Sequence, residues 1–81
     1  MNKILCEFLA VNKNKRKTDG STYFSVRVLI ENRVAVMFFD DEKLYESLSK
    51  LQRVSALYLV GELRIRDEYT YAFIPKSFEI A

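Results

Sequence analysis

Leu57-Tyr58-Leu59-Val60-Gly61-Glu62-Leu63-Arg64-Ile65-Arg66, then a short polar turn, then Tyr69-Thr70-Tyr71-Ala72-Phe73-Ile74, decides how this chain reads. Side chains alternate along an extended strand, so Leu57, Leu59, Gly61, Leu63 and Ile65 share one face and Tyr58, Glu62, Arg64 and Arg66 the other. One strand therefore carries a core face and a face bearing arginines. An interior glycine in such a strand marks a bulge or a sharp bend, the device by which a long strand turns a corner and serves both sides of a small barrel. The stretch predicts a closed or nearly closed β-barrel with a basic, aromatic surface.

Composition narrows the class. The 81 residues form one expected domain, 1–81, small enough to bury only roughly 60% of its unfolded surface, so a partner subunit is expected to add to its stability. Hydrophobic residues make up 49% and charged residues 30%, which argues against long disordered segments. A net charge of +2 is too small to imply a polyanionic partner by itself; the placement of the charge decides. Cys6 is the only cysteine and there is no histidine, which excludes an intrachain disulfide and a Cys/His zinc site and leaves Cys6 as a small core residue. Met1-Asn2-Lys3 leads into a mixed run containing Glu7 rather than an unbroken apolar segment, so a cytoplasmic protein without a membrane partner is expected.

Five strands and one helix follow from the patterning. Ile4 to Val11 is a first strand, apolar on both faces apart from Glu7. Lys13, Lys15, Arg16 and Lys17 crowd a loop that Asp19-Gly20 closes. Thr22 to Ile30 alternates, with Phe24, Val26, Val28 and Ile30 inward and Tyr23, Ser25, Arg27 and Leu29 outward. After a Glu31-Asn32 turn, Arg33 to Phe39 returns, with Val34, Val36 and Phe38 expected inward and Arg33, Ala35, Met37 and Phe39 on the opposite face. Asp40 and Asp41 cap a helix over Glu42 to Leu51, whose Leu44, Leu48 and Leu51 make one apolar stripe. A fourth strand runs from Val54 to Arg66, a turn falls at Asp67-Glu68, and a fifth strand runs from Tyr69 to about Phe78. This order matches the five-stranded OB-fold, an all-β Greek-key barrel with one helix between strands 3 and 4.

The chain also resembles the bacterial-type single-stranded-DNA-binding proteins. The residues that carry the resemblance are Asn2-Lys3-Ile4, Gly20 in the first loop, Phe24 to Ile30, Phe38-Phe39, Lys43-Leu44 and Val60-Gly61-Glu62-Leu63-Arg64-Ile65-Arg66, in that order along nearly the whole chain. The resemblance implies strand coating in replication or recombination, and assembly through the first strand into a homodimer or homotetramer; the small size of the chain adds mobile-element transfer to the expected settings. Two departures matter. Family members commonly stack bases on tryptophans, and this chain has none, so stacking falls to Tyr and Phe. No acidic tail follows Phe78-Glu79-Ile80-Ala81, so a tail-dependent recruiting role is not expected; by the same pattern the chain also resembles the tailless primosomal replication protein B, and that resemblance implies a replication-restart accessory role.

Single-strand binders need cations along the phosphates and flat rings for unstacked bases. On an OB barrel these sit on strands 2 and 3 and on the loops joining strands 1–2 and 4–5. The candidates are Lys13, Lys15, Arg16 and Lys17 in the first loop, Tyr23, Arg27, Arg33 and Phe39 on strands 2 and 3, and Arg64, Arg66, Tyr69 and Tyr71 at the fourth strand and its turn. Each has a plainer counterpart: a lysine-rich loop is a solvated turn, an arginine on an exposed strand a solubilising charge, and a ring in a small barrel a core residue, as Phe24 and Phe38 are expected to be. RNA is the alternative ligand, since the same barrels stack its bases. A pure assembly domain, whose aromatic face is a subunit contact, is the third reading. No enzyme, metal or cofactor is expected: histidine is absent, the glycine patterns of nucleotide loops are missing, and Asp40-Asp41-Glu42 is explained by helix capping.

Overall fold

A computed structural model describes all of residues 1–81. Its elements are β1 (Asn2–Lys15), β2 (Thr22–Ile30), β3 (Arg33–Phe39), α1 (Glu42–Ser49), β4 (Ser55–Ile65) and β5 (Tyr71–Ile80). All five strands pair antiparallel in a single sheet of order β3-β2-β1-β4-β5. The chain is thus mostly β, with one helix. No helix is long and apolar enough to cross a membrane.

β1 holds the sheet together by dividing its length. Asn2 to Phe8 pair with β4, and Glu7 to Lys15 pair with β2. Leu9 is skipped between the Phe8–Val28 and Ala10–Arg27 pairs, and such a bulge bends a strand and increases its twist. β1 is longer than its apolar run because polar Asn12 to Lys15 still find partners in Thr22 to Ser25. The loop after it therefore begins at Arg16, and Lys13 and Lys15 stand on a strand. Asn2 to Cys6 keep one unpaired side, since the β2 ladder starts at Glu7.

The β2–β3 hairpin corrects one expectation. Glu31 and Asn32 both adopt left-handed φ, 50° and 65°, the geometry of a two-residue hairpin turn that matches strand twist. That turn pairs Ile30 with Arg33, and hence Val28 with Ala35, Val26 with Met37 and Phe24 with Phe39. Directly opposed residues share a face, so a β2 that turns Phe24, Val26 and Val28 inward turns Met37 and Phe39 inward too. Both are buried, whereas Val34, Val36 and Phe38 are 54%, 47% and 57% exposed. The two faces of β3 are the reverse of the sequence expectation.

β4 and β5 form the second hairpin, with a bulge of their own. Val60 pairs with Ser77 and Gly61 with Pro75, which leaves Lys76 without a partner. Gly61 is needed because a Cβ there would lie 2.9 Å from the Pro75 Cα and closer still to the Ile74 carbonyl oxygen. Leu57, Leu59 and Gly61 face the core as expected; Leu63 and Ile65 are exposed. The reason is support: the β1 ladder ends at Asn2–Gly61, so the rest of β4 is backed by β5 alone. Tyr69 falls in the turn, not on β5.

The core joins Cys6, Phe8, Phe24, Val26, Val28, Met37, Phe39, Leu57, Leu59 and Phe73 with Leu44 and Leu48 of α1. Asp41 caps α1, its Oδ1 accepting from the Lys43 and Leu44 N–H groups at 3.0 and 3.3 Å. Tyr45 stacks on Phe24 at 4.6 Å and 19°. The helix stops at Ser49, short of the expected Leu51, where the Ser49 hydroxyl donates to the Glu46 carbonyl and Lys50 closes the last turn.

Candidate nucleic-acid interface

The loop between β1 and β2 is a braced turn. The Arg16 N–H donates to the Ser21 carbonyl at 2.8 Å, and the Gly20 N–H returns to the Arg16 carbonyl at 2.9 Å. Gly20 takes the left-handed φ of 73° that this geometry requires. Asp19 Oδ1 accepts from the Ser21 N–H at 2.9 Å, and hydrogen bonding by Ser21, hydroxyl first and N–H next, holds the Asp19 carboxyl below its ordinary range. Arg16 Nη1 donates to Ser21 Oγ at 3.0 Å. This fixes the guanidinium over the Tyr23 ring, 5.0 Å from its centroid, a cation–π geometry.

Tyr23 in turn meets Phe38 across the hairpin, with centroids 6.0 Å apart and planes at 52°. Arg16, Tyr23 and Phe38 thus form a layered row of one cation and two rings on the outer surface. At the far side, the β4–β5 turn is closed by Asp67, whose Oδ1 accepts from the Tyr69 and Thr70 N–H groups at 2.9 Å each, and by the Arg66 N–H on the Thr70 carbonyl at 2.8 Å. The Tyr69 N–H, first, and then Thr70 hold the Asp67 carboxyl below its ordinary range. The turn keeps Arg66 beside the first loop.

Two hollows result. One, of about 570 Å³, is lined by Lys15, Arg16, Lys17, Thr18, Tyr23, Phe38 and Arg66. A smaller one of about 190 Å³ adds Arg64, Ile74 and Lys76 to Arg16, Tyr23 and Phe38, with Asp40 as its single carboxylate. Arg64 keeps a loose ion pair with Glu62 at 3.4 Å. Lys76 enters through the β5 bulge, which turns its side chain outward. Cations converge here with the exposed Phe38 ring and the half-buried Tyr23 ring, and such a surface attracts an extended polyanion and offers π-faces to unstacked bases.

Of the residues singled out from the sequence, Lys15, Arg16, Lys17, Tyr23, Arg64 and Arg66 come together. Tyr71 lies next to them, in an apolar cleft that shares Phe38 and Arg66. Lys13 is drawn aside toward Glu42, 4.0 Å away. Arg27 stands on the outer face of β2 between Val36 and Ala10, Arg33 sits at the hairpin turn, and Tyr69 at the tip of the other turn is 86% exposed; none of these three lines either hollow. Phe39 is turned inward, against expectation: its ring is buried against Phe24 at 5.5 Å, and it contributes to the lining of the smaller hollow. Phe38 takes the exposed place instead, and the two-residue turn is the sequence signal that finds it. Lys76 had a weaker signal in Pro75, which donates no ladder bond and favours a bulge beside it.

Compared with protein-family models, curated proteins and solved structures, the chain matches none.

Proposed function

We propose that the five strands form an OB-type barrel and that the chain binds single-stranded nucleic acid on the face built by Arg16, Tyr23 and Phe38. The observation that carries this reading is that layered row, its Phe38 ring exposed and its Tyr23 ring half-buried, set among Lys15, Lys17, Arg64, Arg66 and Lys76. Rings stack on any base, each stacked base contributing roughly 1–3 kcal/mol with little sequence preference, while cations follow the backbone. The function is sequence-tolerant strand coating or protection, in replication, recombination or mobile-element transfer, with single-stranded DNA as the first ligand and RNA as the second. A replication-restart accessory role uses the same face.

Fluorescence anisotropy with labelled oligo-dT, a duplex and an RNA of equal length, at two salt concentrations, tests it. Salt-sensitive binding to the single strands over the duplex is expected. Replacing Lys15, Arg16 and Lys17 together by Glu should weaken binding and flatten the salt slope by about 2, at about 0.7 per phosphate contact, with an unchanged circular dichroism spectrum. Absence of binding at low salt refutes the function.

A second observation favours self-assembly. Leu5 and Val34 are 56% and 54% exposed on the outer face, and they continue through Leu29 and Tyr58, their cross-strand partners. A hollow of about 540 Å³ lies beside the unpaired half of β1. A homodimer or homotetramer that covers this surface is expected; sedimentation as a monomer at micromolar concentration overturns it.

A further inference from the structure

β3 and β5 lie against each other without a ladder joining them, and a cleft of about 460 Å³ opens along this seam. Val36 and Phe38 wall it from β3 and Tyr71 and Ile74 from β5. Arg66 is its one charged lining residue, and the same side chain lines the cationic hollow next door. Val36, Phe38 and Tyr71 are 47%, 57% and 69% exposed. The slot is therefore an open apolar space, within the roughly 300–1,000 Å³ of small-ligand sites, with a cation at its border. Edge strands also carry backbone N–H and C=O groups that no ladder satisfies.

We infer that this slot receives one unstacked nucleobase of the bound strand, flanked by Phe38 and Tyr71, while Arg66 holds the phosphate beside it. The inference rests on the nucleic-acid reading of the adjoining face. The charge pattern selects the occupant: a nucleotide combines a flat, weakly polar ring with an anion, and slot and hollow present the complement of each in that order. A second copy of this chain, itself at net charge +2, would bring its own cations against Lys15, Arg16, Lys17 and Arg66. The slot makes part of the affinity depend on a base at one position rather than on backbone charge alone.

The test compares oligo-dT with an abasic oligonucleotide of equal length, on the wild-type protein and on a Val36→Ala/Tyr71→Ala variant. Both substituted side chains are exposed, so the fold is expected to persist, with circular dichroism as the check. The variant should lose roughly five- to a hundredfold in affinity for oligo-dT, the worth of one stacked base, and nothing for the abasic strand, with the salt slope intact. Photocrosslinking of a 5-bromodeoxyuridine oligonucleotide to the unaltered protein should label Val36 or residues Tyr71 to Phe73, which line the slot and neither hollow. An unchanged affinity for oligo-dT, an equal loss on the abasic strand, or crosslinks confined to residues 16–23 and Phe38 removes the slot and leaves the interface standing. Failure of the wild-type protein to bind either strand at low salt removes both.

Discussion

Replacing Phe38 and Phe39 by alanine, one at a time, separates two neighbours that differ only in the way the hairpin turns them. Phe39 is 5% exposed, within the core and against Phe24, so Phe39→Ala deletes a buried ring and leaves a cavity, at a cost of about 3–5 kcal/mol. At about 0.05–0.15 kcal/mol per residue the whole domain has a stability on the order of 4–12 kcal/mol. Phe39→Ala thus removes about a quarter of it or more and lowers the melting temperature by at least about 12 °C. Phe38 is 57% exposed, and its main loss is the tilted contact with Tyr23, worth about 0.5–1.5 kcal/mol. Its replacement should move the unfolding midpoint by no more than about half as far as Phe39→Ala does, yet weaken oligo-dT binding about five- to a hundredfold if one base stacks there. Urea unfolding followed by far-ultraviolet circular dichroism, paired with anisotropy on the same samples, reads both. Equal destabilisation by the two substitutions, or a larger one from Phe38→Ala, would refute the hairpin register and the site built on it.

Other perturbations probe the rest of the frame. Gly61→Ala should destabilise by about 1–3 kcal/mol or more, because the new methyl meets the Ile74–Pro75 backbone rather than a side chain able to move; an unaltered melting curve would contradict the tight β4–β5 crossing. Asp19 and Asp67 have lowered folded-state affinities for protons, so their contribution is complete above the ordinary carboxylate value of 3.8 and is lost as pH falls through the lower folded values. Amide exchange at Ser21, Tyr69 and Thr70 should accelerate in that acid range, and Asp67→Asn should remove the effect at its turn. Burial pushes the Cys6 thiol from 9.0 up to about 11. The native protein should resist iodoacetamide at neutral pH, and stability should fall between those two values, where the unfolded chain releases a proton that the folded one retains.

Some of this structure was open to reading in the residues, and some was not, for identifiable reasons. β2 was legible because Phe24, Val26 and Val28 alternate with Tyr23, Ser25 and Arg27, which are all more polar. β3 was misread because Val34, Val36 and Phe38 are as apolar as Ala35, Met37 and Phe39; hydropathy cannot choose between such faces, whereas counting pairs back from the Glu31-Asn32 turn does. The polar end of β1 was hidden because its reason lies in the partner strand. Leu63 and Ile65 keep the period of Leu57 and Leu59, but period says nothing about where a neighbouring strand stops. At the site, the loop cations and Tyr23 were visible as types at known positions. Phe38 was lost with the β3 faces, and Lys76 depends on a bulge formed by two distant segments.

The divided pairing of β1 also sets the order of events when the chain is made. Residues 7–15 find β2 as soon as the first hairpin has emerged, a short loop closure. Residues 2–8 must wait for Ser55 to Gly61, which come off the ribosome only after the helix. During that interval Ile4, Leu5 and Cys6 are synthesised yet have no ladder on either side, and the closing step brings together the most distant contacts of the sheet. Long-range pairing of this kind slows folding, so the rate-limiting event is expected to be the docking of the second hairpin onto a strand that has already waited longest in the open.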